Sequence, residues 1–198
     1  MVAIIDYGAG NLHSVTNALE YLGARSEITS DRDKILSASH IILPGVGAFG
    51  NAMAALEEKG LIDVVRRAAD GTKPFLGICL GLQLLFERSE ESPNAEGLGI
   101  FKGSVKKIPE HGLKIPHMGW NSITLTKKSR ILPDDASFVY FVHSYYIQPH
   151  DGDIVSAYTE YGERLNIAVE DGNVFALQFH PEKSGVVGMG ILKKFLAL

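Results

Sequence analysis

The chain has 198 residues, and 19 Lys and Arg against 23 Asp and Glu leave a net charge of −4. A chain of this size buries roughly 70% of its unfolded surface, so no disulfide or metal is needed to hold it together. The mild acidity argues against nucleic acid and anionic membrane surfaces as main partners, and the single cysteine excludes an internal disulfide and points to a reducing compartment.

The opening MVAIIDYGAG has no basic n-region, and Asp6 interrupts its apolar run, so no signal peptide is expected. No apolar stretch approaches the ~20 residues of a membrane helix. A cytoplasmic protein is expected.

In chain order, residues 2–6 (VAIID) are predicted as a buried strand closed by Tyr7-Gly8-Ala9-Gly10. Leu12, Val15, Leu19 and Leu22 have helical spacing and predict a helix over 11–22 that ends at Gly23. A strand follows over 40–43 (HIIL), then PGVGAFG and helices over 51–58 and 61–69. Residues 74–78 (PFLGI) form the next strand and 81–87 a helix. This alternation predicts a doubly wound, mostly parallel α/β sheet of flavodoxin-like type. Beyond about residue 100 the texture changes to strands over 120–125, 137–142, 154–158, 167–170 and 174–179. Asp151-Gly152 and Asp171-Gly172 read as hairpin turns. An added antiparallel section and a closing helix over 186–198 complete one predicted domain over 1–198. Residues 88–112 and 126–137 suggest no role.

Gly77-Ile78-Cys79-Leu80-Gly81 joins an apolar strand to a helix, the arrangement of a nucleophile elbow with sulfur in place of oxygen. The tight turn needs small residues on both sides of the nucleophile. A helix N-terminus there favours negative charge on sulfur. A lone cysteine is ordinarily a small buried hydrophobe; the paired glycines after PFL favour a nucleophile. A thiol needs a base, and the base an orienting acceptor. His180 follows a strand and precedes Pro181-Glu182. In an extended chain positions i and i+2 project to one side, so Glu182 is expected against the imidazole, with Pro181 stiffening the backbone. The chain order Cys, His, acid differs from that of the α/β hydrolases.

Gly45, Gly47 and Gly50 match the dinucleotide fingerprint G-x-G-x-x-G. The match follows a later strand rather than the first, and no acidic residue ends a neighbouring strand where a ribose would need it. The backbone of Gly45, Val46 and Gly47 suits an oxyanion hole instead, with Leu80 N–H as a second donor. His180-x-Glu182 lacks the P-C-x-x-C of zinc deaminases, no cluster has zinc spacing, and Gly8-Ala9-Gly10-Asn11 lacks a Walker lysine. No cofactor and no metal are expected.

With these residues in place, the chain resembles the class I, triad-type glutamine amidotransferases. The matching segments are IIDYGAGNLHSV (4–15), LPGVGAFG (43–50), PFLGICLGLQLLFE (74–87), IPHMGWN (115–121), YFVHSYY (140–146) and ALQFHPEKSG (176–185), in the family's order over nearly the whole length. The resemblance implies that Cys79 attacks the glutamine side-chain amide to form a thioester. His180 then shuttles the proton and Glu182 holds the ring. It further implies that Gln83, Ser144 and Tyr145 line the glutamine pocket with Gly47, and that the oxyanion strand can reorient.

Ammonia is useful only if passed directly to an acceptor, so a partner subunit is implied. The strings DYGAGNLHSV, PHMGWN and HPEKSG resemble those of amidotransferases that feed a (β/α)8-barrel cyclase as a heterodimer, which the resemblance implies here. That cyclase makes imidazole glycerol phosphate and an aminoimidazole carboxamide ribonucleotide. His117, Met118, Trp120 and Asn121 form the candidate docking strip, Asn11 is a further candidate at the partner interface, and Tyr140 and Lys183 are expected near the ammonia exit. Trp120 could instead be core, as buried aromatics often are. Competing readings are the glutaminase of another synthetase, a flavodoxin-like nucleotide-binding module using Gly45, Gly47 and Gly50, and a scaffold without turnover.

Overall fold

A computed structural model describes residues 1–134 and 137–198. Residues 135 and 136, inside the stretch 126–137 for which no role was expected, lie outside the described residues. In chain order the first half comprises β1 (Val2–Ile5), α1 (Leu12–Tyr21), β2 (Ser26–Thr29), α2 (Arg32–Ser37), β3 (His40–Gly45), α3 (Phe49–Glu58), α4 (Ile62–Ala68), β4 (Phe75–Cys79) and α5 (Leu80–Leu84). The second comprises β5 (Arg88–Ser89), β6 (Gly103–Lys107), β7 (His117–Leu125), β8 (Ser137–His143), β9 (Tyr145–Pro149), β10 (Val155–Tyr161), β11 (Glu163–Asp171), β12 (Val174–Leu177) and α6 (Gly185–Leu196).

One continuous sheet runs β2-β1-β3-β4-β12-β11-β10-β7-β8, with β5, β6 and β9 branching from it. The first five strands are parallel and the rest of the main path antiparallel. Strands β1, β4 and β12 are buried at every position, as a parallel sheet covered on both faces requires. One apolar layer packs Ile35, Phe49, Leu56 and Val65 from α2, α3 and α4 on one face, and another packs Val15, Leu19, Ile191 and Phe195 from α1 and α6 on the other. Helix α1 stops because Gly23 takes φ +74° and Ala24 N–H bonds back to Leu19 O, a left-handed cap that suits glycine.

This topology sets the site. Strand β4 lies between β3 and β12, with Gly45 opposite Cys79 and Ile78 opposite Leu177. The carboxyl ends of three parallel strands therefore deliver PGVG, Cys79 and the run toward His180 to one edge, the crevice where open α/β sheets bind ligands.

The expected elements recur with shifted ends, and several differ in kind. Helix α5 is one turn, Leu80–Leu84, instead of 81–87. Leu85 and Phe86 N–H tighten onto Leu82 and Gln83 carbonyls, and Glu87 leaves the helix to accept from Gly103 N–H at 2.9 Å. Asp151-Gly152 is no hairpin: Asp151 caps a 3-10 turn over Gly152–Ile154, and β9 and β10, which it joins, do not pair. Asp171-Gly172 does turn a hairpin, between β11 and β12. Strands β2, β5, β6 and β9 and helix α2 had no counterpart in the expected elements. Among the described residues, no helix is long and apolar enough to cross a membrane.

Candidate active site

Cys79 ends β4 at φ 55°, and among the described residues it is the one non-glycine with positive φ. Such backbone costs of order 1–3 kcal/mol and persists where the surroundings enforce it. The flanking glycines show how. A Cβ on Gly77 would come within 3.0 Å of the Gly81 carbonyl group and 3.1 Å of Ala176 Cβ, and a Cβ on Gly81 would collide with the Leu43 carbonyl oxygen. A Cβ on Gly45 would meet Tyr7 Oη at 2.7 Å and Leu80 Cβ at 2.8 Å. The turn is thus packed from three strands, with Cys79 buried apart from a sliver of 7% exposure.

His180 leaves the end of β12, its N–H bonded to Tyr140 O at 3.0 Å and its carbonyl to Ser184 Oγ at 2.6 Å. The following Pro181–Lys183 is a 3-10 turn with proline in its first positions, where the fixed φ of proline fits. The acid thus reaches the ring by a helical turn rather than by the extended i, i+2 projection expected. The contact itself is made, with His180 Nδ1 2.8 Å from Glu182 Oε1 and both side chains buried. A carboxylate can only accept, so Nδ1 carries a proton and Nε2 is left for the sulfur side. Burial opposes charge on this ring, but the Cys79 sulfur and the Glu182 carboxylate outweigh it and push the pKa up to about 9. Nε2 and Glu182 Oε2 are buried without a hydrogen-bond partner of regular geometry. The influence of sulfur on the ring is therefore one of proximity, with the Sγ–Nε2 bond left to form.

A cavity of about 430 Å³ opens on Cys79, lined by Val46, Gly47, Leu80, Gln83, Ser144 and Tyr145, with Glu91, Pro116, Val142 and His143. It falls within the size range of small-molecule sites. Gly45 does not line it; the residue sits within β3 under the elbow. Tyr7 Oη donates to Pro44 O at 3.0 Å and so anchors the strand leading into Gly45, Val46 and Gly47. Burial, and then the nearby sulfur, raises the Tyr7 pKa above the usual tyrosine value and keeps it a donor. The N–H groups of Phe49 and Gly50 at the start of α3 are taken by Glu91 Oε2 at 2.7 Å and Ser92 Oγ at 3.0 Å. The amides a dinucleotide pyrophosphate would need are therefore engaged, which removes the support for the fingerprint reading.

A profile of class-I glutamine amidotransferases matches residues 3–197. The chain belongs to that family. It is 52% identical over 200 residues to "Imidazole glycerol phosphate synthase subunit HisH" of Bacillus cereus (strain G9842), covering 98% of this chain and 93% of the relative. The protein of the same name from Methanothermobacter thermautotrophicus is 48% identical over 199 residues, covering 100% and 98%. A solved structure described as "Crystal structure of glutamine amidotransferase" matches with TM-score 0.78 at 20% identity, covering 100% of this chain and 98% of the other, a likeness of fold. As a member of the family the chain is a glutamine-hydrolysing enzyme.

In this amidotransferase the residues expected at the partner face divide. Met118 and Trp120 are exposed at 59% and 57%, and Tyr140 pairs across from Trp120 with ring centroids 6.2 Å apart. Trp120 is thus not a core residue. Lys183 is exposed in the turn after His180, and Asn11 begins α1, which packs against that turn. His117 belongs elsewhere, contrary to expectation. Only 3% exposed, it stacks between Phe141 and Tyr161 and bonds to His143. The pleat sends alternate residues of β7 to opposite faces, so His117 points inward while Met118 and Trp120 do not. Asn121 is half buried and bonds to His117 and Glu160 O.

Several site residues were missing from the sequence reading, Glu91 and Gln178 among them. Glu91 lies in a stretch that suggested no role, and nothing local marks it; only the loop packed on α3 brings it to the cavity. Gln178 is fully buried inside the apolar run of β12 and its exit. A lone amide in VFALQF was the available signal.

Proposed function

We propose that this amidotransferase hydrolyses L-glutamine in the Cys79 cavity and hands ammonia to a cyclase subunit in histidine biosynthesis. The cyclase forms imidazole glycerol phosphate and an aminoimidazole carboxamide ribonucleotide. One observation carries the reading: the strained Cys79, the His180–Glu182 pair and a cavity of about 430 Å³ meet at the carboxyl ends of three adjacent strands. Relatives identical at 48–52%, named as subunits of imidazole glycerol phosphate synthase, support the pathway.

Cys79 Sγ attacks the side-chain amide carbon, and the C–N bond breaks as His180 gives its proton to the departing ammonia. The same ring then deprotonates the water that attacks the thioester carbon; the S–C bond breaks, glutamate leaves, and Cys79 is left as the thiolate with the proton on His180. Glu182 Oε1 keeps Nδ1–H oriented, so Nε2 serves both transfers. Backbone N–H groups of Val46, Gly47 and Leu80 face the developing oxyanion, with Gly45 shaping the strand beneath. Gln83, Ser144 and Tyr145 hold the substrate. Glu91 places a carboxylate at the same wall, where the charge of an α-ammonium group would be matched.

The cyclase is a separate (β/α)8-barrel subunit in a heterodimer. It docks on the face carrying Met118, Trp120 and Tyr140, near Asn11, Asn121 and Lys183. The exposed apolar side chains there support this placement. The chain works as one domain, in the cytoplasm, where a lone buried thiol stays reduced.

The test measures glutamine hydrolysis with and without the cyclase and its nucleotide substrate. Hydrolysis should be coupled to product formation, and Cys79→Ala should abolish glutamine-dependent synthesis while the complex still runs on ammonium salt at raised pH. Coupling to a different synthetase, or loss of the ammonium-driven reaction in an assembled complex, would overturn the assignment.

A further inference from the structure

Two buried polar pairs reach beyond the steps above: His117–His143, which those steps do not use, and Gln83–Gln178, of which they use only Gln83. They meet at one atom. The carbonyl oxygen of Tyr145 accepts from His143 Nδ1 at 2.8 Å and from Gln83 Nε2 at 3.2 Å.

A carbonyl can only accept, and this fixes every direction outward from it. On one side His143 Nδ1 carries the proton, so its Nε2 is an acceptor. His117 Nδ1, 2.9 Å away, must then donate, which leaves His117 Nε2 to accept from Asn121 Nδ2 at 3.2 Å. Asn121 agrees, since its Nδ2 also donates to Glu160 O at 3.0 Å while Oδ1 accepts from Ser122 N–H at 2.8 Å. On the other side Gln83 must present Nε2 to the carbonyl, and the same nitrogen donates to Gln178 Oε1 at 3.0 Å. Gln178 is thereby oriented with Nε2 toward Cys79 Sγ, 3.7 Å away.

The result is one continuous network from β7 to the nucleophile: Asn121, His117 and His143 donate in turn toward the Tyr145 carbonyl, and Gln83 donates both to that carbonyl and to Gln178, which donates to Cys79. We propose that Gln178, His143 and His117 are positioning residues, which fix the sulfur and the Tyr145 wall of the cavity through this chain. The proposal rests on the reading of the cavity as the glutamine site. Gln178 sets the place of Sγ with an N–H aimed at it, and such a donor favours negative charge on sulfur. The two imidazoles suit a chain that needs single tautomers. Burial holds His117 down at about 4 and His143 at about 3, so both stay neutral through the working range. Partly satisfied buried networks are costly, so breaking one link loosens its neighbours.

The experiment compares Gln178→Met, which keeps length and removes both bonds, with His117→Phe, which keeps the stack between Phe141 and Tyr161 and removes the imidazole. Glutaminase kcat and KM are measured on the full chain, under the conditions in which the unsubstituted protein is fastest, beside thermal unfolding. Gln178→Met should lower kcat by about tenfold or more and slow alkylation of Cys79 by iodoacetamide, with KM little changed. His117→Phe should lower kcat by about threefold to tenfold with folding intact. Normal kcat in both variants overturns the proposal, and normal kcat in His117→Phe alone overturns its extension beyond Gln178. If Gln178→Met does not fold, His117→Phe decides. The site reading is separated by Cys79→Ser: if it still hydrolyses glutamine, that reading fails, and if it is dead while both positioning variants are normal, only the chain fails.

Discussion

The parallel strands and the β7–β8 ribbon handle burial in opposite ways. Strands β1, β4 and β12 bury every side chain, whereas β7 and β8 alternate: His117, Ile123, Val139 and Phe141 are buried, while Met118, Trp120 and Phe138 are exposed. The first arrangement is stiff enough to hold Cys79 at φ 55°. The second leaves an apolar face open while its inner side carries a polar chain toward the same cysteine. Strain is held on the wholly buried strands, and the proposed docking face lies on the half-buried ribbon.

The largest effect should come from the stiff side. Glu182→Gln leaves the turn over Pro181–Lys183 in place but removes the charge that helps to raise the His180 pKa. Glutaminase turnover should fall roughly 10²–10⁴-fold, as acid-to-amide changes do in such triads. His180 charged to about pH 9 places the alkaline limb of the pH–rate profile near that value in the unsubstituted enzyme, and the limb should move to lower pH in Glu182→Gln. Near-normal turnover with an unmoved limb would reduce Glu182 to a structural residue.

On the ribbon, Trp120→Ala should weaken binding of the cyclase by ~2 kcal/mol, about thirtyfold in Kd. Because the side chain is 57% exposed, the melting temperature of the free chain should hardly change. Calorimetric titration checks the first and thermal unfolding the second. A large stability loss with unchanged binding would make the two regions alike after all.

A last effect sharpens the comparison within the ribbon. His117 and His143 are held below the ordinary histidine value by burial. Below about pH 6.5 the unfolded chain takes up protons that the folded pair refuses, so their contribution to stability is full above that value and falls with pH. The slope is up to about 1.4 kcal/mol per pH unit for each histidine. Urea unfolding at pH 7 and pH 5 should show the loss, and His117→Phe should reduce it. A pH-independent midpoint over that range would contradict it.

The sequence by itself determined the β–α alternation, the elbow and the pairing of His180 with Glu182, because each depends on neighbours in the chain; that the pair is closed by a 3-10 turn was not foreseen. Apolar runs such as VAII and FLGIC need only burial on both faces, and Gly77 and Gly81 need only a turn too tight for a Cβ. Edge and branch strands were not legible in the same way. SEIT, of which only Thr29 is buried, is an edge strand paired with β1 alone, and GSVKK, though buried over Gly103–Val105, has Val105 as its one large apolar residue, so neither shows an apolar run. Tertiary structure alone decided the parity of β7, which sends His117 inward and Trp120 outward, since the pleat does not announce which face meets the core. It alone brought Glu91 over α3 and joined Asn121, His143, Gln83 and Gln178 into one chain. The bonds His117–His143, Gln83–Tyr145 and Gln83–Gln178 span 26, 62 and 95 residues of sequence, and hydrogen bonds over such separations exist only once the packed sheet has fixed where each strand ends.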